Sequence, residues 1–105
     1  MSTVVASVRP FEFGSLYMSS TVFSATCEHV PFGEFVRSCV ERHLACDWGD
    51  CCSDDASRND AALVDGSRIF SVYDIPSGLY GLDSKIWIIT ESNREHTTVI
   101  FPSEY

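Results

Sequence analysis

Five cysteines and three histidines are the residues of this chain with the most chemistry to offer. His43-x2-Cys46-x4-Cys51-Cys52 brings an imidazole and three thiols within ten positions, and a helix reaching Cys46 would put the first pair on one face. Such a set can bind zinc or pair a thiolate with a base. A tetrahedral zinc site, however, needs a second CxxC or HxxxH at usual spacing, and none follows. His43 lies among apolar residues at helical spacing, which points to a hydrogen-bonded core histidine. His29 and His96 have no neighbouring carboxylate to orient them. GxSxG, HExxH and GxxxxGK[ST] are missing, so neither a catalytic set nor a metal or other cofactor is expected. Cys39 reads as a small core residue, and Cys27, Cys46, Cys51 and Cys52 as incidental thiols. An odd cysteine count without an export signal implies reduced thiols and a cytoplasmic location.

Carboxylates are the second group. Fifteen acidic residues against seven basic ones give a formal charge of -8, which disfavours direct attachment to nucleic acid or to an anionic membrane. A basic partner is the natural complement. Asp47, Asp50, Asp54, Asp55, Asp60 and Asp65 crowd one stretch opposed only by Arg58. Trp48 sits among them, as a core plug or an interface residue. A solvated helix face explains much of this run, and a cationic groove on a nucleic-acid-binding protein is its sharper complement. The candidate partner-binding residues are therefore Asp47, Trp48, Asp50, Asp54, Asp55 and Asp60. Glu91 and Arg94 are lesser ones, which with Arg68 form a candidate surface ion network.

The elements that must position these residues read as a single α+β domain over residues 1–105. Two helices are followed by, and packed on, a three-stranded antiparallel meander. Phe32, Phe35, Val36, Cys39, Val40, His43 and Leu44 recur at three and four residue steps, predicting a helix from Pro31 to about Ala45. Ser53 reads as the cap of a second helix that stops at Asp65-Gly66. Ile69–Ile75, Lys85–Glu91 and Thr97–Phe101 are β-branched and aromatic, the first two joined by a long loop at 76–84 and the last two by a polar turn. On the middle strand Ile86, Ile88 and Thr90 face one way, Trp87, Ile89 and Glu91 the other. Leu16-Tyr17-Met18 and Thr21-Val22-Phe23 read as a broken strand. Residues 1–14 are a loose arm or an edge strand, which would add to the sheet. No apolar run approaches the roughly 20 residues of a membrane span. Either a monomer or a homodimer fits a sheet with two partly apolar faces.

Cys46-Asp47-Trp48-Gly49-Asp50, Asn59-Asp60-Ala61-Ala62-Leu63, Gly66-Ser67-Arg68, Ser71-Val72-Tyr73, Lys85-Ile86-Trp87-Ile88-Ile89-Thr90-Glu91, Thr97-Thr98 and Pro102-Ser103-Glu104-Tyr105 follow one another in a series. This series, covering about residues 42–105, resembles a family of small proteins carried by bacterial plasmids and prophages. Members of that family often carry Gly where this chain has Cys46 and Asp where it has Asn93. The resemblance implies a mobile-element protein, and anti-CRISPR inhibitors of type II-A effectors are among the proteins the chain looks like. The expected function is then a non-enzymatic inhibitor of a host defence nuclease, acting in the bacterial cytoplasm by direct binding through acidic and aromatic residues. A small metal- or thiol-dependent enzyme or regulator using His43, Cys46 and Cys51, and an accessory domain of a plasmid or phage assembly, are the alternatives.

Overall fold

The computed structural model describes residues 10–77 and 84–105. Its elements are β1 (Ser15–Met18), α1 (Ser20–Glu28), α2 (Val30–Leu44), α3 (Ser53–Asp65), β2 (Ile69–Asp74), β3 (Lys85–Thr90) and β4 (His96–Ile100), closed by a 3-10 turn at Pro102–Glu104. The class is α+β, with three helices and a four-stranded mixed sheet ordered β1-β4-β3-β2. β2, β3 and β4 form the expected antiparallel meander, and β1 joins its far side parallel to β4.

Two expectations need correction. Thr21-Val22-Phe23 is not strand but the start of α1, because the Ser19 side chain accepts the Val22 N–H at 3.2 Å and caps a helix whose Val22 and Ala25 are buried. α3 is capped one residue earlier than expected, at Cys52, without a side-chain hydrogen bond. Asp54 and Asp55 in its first turn still complement the helix dipole. Within the expected amino-terminal arm, residues 1–9 lie outside the described residues, as do 78–83 of the loop before β3. Phe11 is buried and Phe13 partly so, on irregular backbone that runs to Gly14, and the strand begins at Ser15.

α1 and α2 cover one face of the sheet. Phe32, Val36 and Cys39 of α2 meet Tyr73, Ile86, Ile88, Val99 and Phe101 there. Full burial of each larger side chain contributes about 1.5–3 kcal/mol before conformational entropy is set against it. A second cluster joins Phe11, Leu44, Trp48, Ala62 and Ile69, and Val40 packs against both. α3 thus flanks the β2 edge, with Trp48 as the plug between α2 and α3.

That edge is closed by side chains and loop rather than by another strand. Asn59 of α3 clamps Phe70, its amide donating to the carbonyl at 2.7 Å and its oxygen accepting the N–H at 3.0 Å. Residues 48–50 then take over: Val72 N–H bonds Trp48 O, Asp50 N–H bonds Val72 O, and the Asp50 carboxylate accepts Asp74 N–H at 2.9 Å. An edge whose outward amides are satisfied in this way has little left with which to recruit a foreign strand. Gly49 makes the approach feasible, since it has φ +74° and an added Cβ would collide with the Val72 carbonyl and the Tyr73 ring.

Gly49→Ala is therefore expected to cost about 3 kcal/mol or more, combining a left-handed backbone with a steric clash. Gly66→Ala, at φ +81° with nothing within 4 Å, should cost only about 1 kcal/mol. Urea unfolding of the two variants checks the contrast; equal losses would contradict it.

Candidate functional site

His43 is wholly buried and both ring nitrogens are engaged. Nδ1 lies 2.6 Å from Ser71 Oγ, and Nε2 lies 2.9 Å from Thr90 Oγ1, which is 2.7 Å from Thr97 Oγ1. Thr97 in turn donates to the Phe13 carbonyl at 2.7 Å. A carbonyl only accepts, so the direction of the whole chain follows. Thr97 spends its proton on Phe13, Thr90 donates to Thr97, and Nε2–H donates to Thr90. Nδ1 is left to accept from Ser71. Burial pushes the His43 pKa down to about 4, keeping the ring neutral as this order requires. Ser71, Thr90 and Thr97 are also buried, so a substrate has no route to the serine hydroxyl in this arrangement. This is a core pin, and it withholds both His43 nitrogens from any metal shared with Cys46 or Cys51.

Among the described residues no three His, Cys, Asp or Glu side chains converge as metal ligands. The Cys39 pKa is pushed up to about 12 by burial, which leaves its thiol protonated and inert. Burial also raises Cys46 and Cys51. Cys46 has φ +65°, the left-handed conformation glycine adopts at least cost, and Asn93 Oδ1 accepts the Glu95 N–H at 2.9 Å, a bond an aspartate can also make.

The acidic residues gather where the β2 edge, the 47–50 loop and α3 meet, but several are engaged. Asp47 takes a bidentate contact from Arg42 at 2.8 and 3.3 Å and accepts the Gly49 N–H; the Arg42 hydrogen bond holds its carboxyl below the usual range. Arg42 also stacks over Tyr73, whose hydroxyl donates to Asp47 O at 2.6 Å. Asp60 accepts the Trp48 indole N–H at 2.9 Å, and Trp48 is 7% exposed, so the tryptophan is core. Asp50 holds the Asp74 amide. Asp54 is exposed, and Asp55 is half-buried, 3.7 Å from Arg58.

Glu91 and Arg94 lie apart, at the β3–β4 turn. The Arg94 guanidinium donates to the carbonyls of Ser67, Glu91 and Ala62, stitching that turn to the end of α3. Arg68 stacks over the Tyr105 ring and donates to its hydroxyl at 2.8 Å. The expected Arg68–Glu91–Arg94 ion network is thus replaced by carbonyl and aromatic contacts, because both guanidinium groups reach better-placed oxygens.

Two concave surfaces lie among the described residues. Phe70, Trp87 and Tyr105 wall a pocket of about 360 Å³ on the sheet face opposite α1 and α2. An apolar groove of about 410 Å³ runs between β1 and α2, past Leu16, Met18, Val36 and Val40. Sequence reading missed the first, since its walls come from positions 55 to 105; the aromatic alternation around Trp87 is the one local signal for it. No described helix is long and apolar enough to cross a membrane. No family model, curated protein or solved structure matches the chain.

The low His43 pKa carries a pH dependence. Between its ordinary value of 6.5 and about 4, the unfolded chain takes up a proton that the native ring refuses, so stability is full above that window and falls as pH drops through it. The loss should reach on the order of 3 kcal/mol, and His43→Gln should flatten the profile. Urea midpoints measured across the window test this, and a constant wild-type midpoint would refute it. Alkylation should label exposed Cys27 and Cys52 in the native protein and Cys39 only after unfolding; rapid native labelling of Cys39 would be the contrary result.

Proposed function

We propose that this chain is a mobile-element-encoded, non-enzymatic inhibitor of a host defence nuclease of the anti-CRISPR type, acting in the bacterial cytoplasm. Its partner is a basic nucleic-acid-binding protein, met directly through the acidic surface around the β2 edge. The supporting observation is that Asp47, Asp50 and Asp60 are held along one covered edge while Asp54 and Asp55 open the helix that flanks it, on a protein of charge -8. Carboxylates fixed on a rigid frame present negative charge at low entropic cost and steer association with a cationic groove.

On this reading the roles within that surface divide. Asp47, Asp50, Asp60 and Trp48 hold the frame, whereas Asp54 and Asp55 at the start of α3 are the groups available to a partner. Glu91 and Arg94 belong to the second rank, since Arg94 is occupied with carbonyls. The accessory-domain reading predicts binding without interference.

The test is a cellular assay in which the chain is expressed beside a panel of RNA-guided and restriction nucleases and survival of a targeted phage or plasmid is scored. Protection against one system is expected. Asp54→Lys with Asp55→Lys should weaken binding to that effector about tenfold or more, with affinity also falling as salt rises. A folded double variant that protects as well as wild type would remove the acidic site, and no protection against any system would remove the inhibitor reading.

A further inference from the structure

The pocket beside Trp87 differs in character from the surface around it. Phe70 and Trp87 meet at 4.9 Å with planes 64° apart, and Trp87 and Tyr105 at 5.5 Å and 70°. The three rings form an angled wall with room for a further planar group. Two guanidinium groups rim it. Arg68 spends one N–H on the Tyr105 hydroxyl, and Arg58 is 81% exposed beside Asp55 at a loose 3.7 Å. Among the described residues, most of their donors take no partner, in a fork that suits phosphate. On a chain where Arg42 and Lys85 sit against Asp47 and Asp74, two arginines against one aspartate make a locally positive site.

We infer that this pocket binds a nucleoside monophosphate, its base against Trp87 and Tyr105 and its phosphate between Arg58 and Arg68. A volume of about 360 Å³ suits a ligand of this size. Aromatic stacking accepts any base, and the paired arginines require an anion. The surrounding charge decides between a free nucleotide and the end of a strand. A protein of charge -8 repels a polyanion along its length, while one phosphate meets only the local positive site. This inference does not rest on the inhibitor reading, although Asp55 borders both surfaces.

Calorimetric titration of the intact protein at low salt, with adenosine monophosphate, inorganic phosphate and a short 5′-phosphorylated single strand, tests it. The nucleotide should bind with a dissociation constant on the order of 0.1 mM, at least about tenfold tighter than inorganic phosphate or the strand. Tyr105→Ala removes one exposed wall and Arg68→Gln one charge, and each should weaken the nucleotide about tenfold with an unchanged urea midpoint. Absence of nucleotide binding would overturn the inference, as would inorganic phosphate binding equally well or variants of unchanged affinity. Tighter binding of the strand would overturn the choice of a free nucleotide.

Discussion

The imidazole of His43 fixes the distance between α2 and the sheet, and much of the structure is arranged to keep it neutral and fully bonded. Its two nitrogens contact β2 through Ser71 and β3 through Thr90, and the chain continues through Thr97 of β4 to the Phe13 carbonyl. One side chain therefore sets the relative position of a helix, three strands and the segment leading into β1. A hydrocarbon at the same place would fill the volume but take the acceptor from the buried Ser71 hydroxyl and the incoming donor from Thr90, which costs more than the hydrogen bonds contribute. Because each donor has one acceptor, the polar chain also specifies a unique register, where apolar packing alone would tolerate sliding.

From that fixed sheet the closed β2 edge follows. Tyr73, positioned beside Ser71, holds the Asp47 carbonyl, and residues 48–50 are then aligned along β2 with Trp48 turned into the core. Aspartates that read in sequence as one anionic patch divide into structural acceptors and a smaller outward set. An acidic surface and a closed sheet edge are here made from the same residues, so removing charge from Asp47, Asp50 or Asp60 disturbs the frame before it informs on binding.

The parts legible in sequence are those decided by periodicity. The apolar stripe of α2 and the alternation in β2, β3 and β4 reflect burial on known faces. α1 was hidden because Thr21-Val22-Phe23 are strand-favouring residues held helical by the Ser19 cap and by Val22 packing into the core. The parallel pairing of β1 with β4 has no local signature at all. At the site, His43 showed its core character through its place on the stripe, whereas the engagement of Asp47, Asp50 and Asp60 depends on backbone amides and an indole that only the folded chain brings near. Trp48, Gly49, Asn59, Ser71, Tyr73, Thr90, Thr97 and Glu104 all hold positions in the fold through contacts made across the sequence.

Among the described residues β1 is the earliest strand and its neighbour β4 the latest. Ser19, just beyond β1, is bound to Glu104, which also accepts the Phe101 amide. On a ribosome, β1 emerges long before the strand it must lie against. α1 and α2 can pair as soon as both are out, but the sheet they cover is completed only after β3 and β4 have been synthesised, at about 5–20 residues per second, and have cleared the exit tunnel. For that interval the apolar faces of α1 and α2 lack their sheet, which makes the nascent chain, more than the finished domain, the form that calls for chaperone protection.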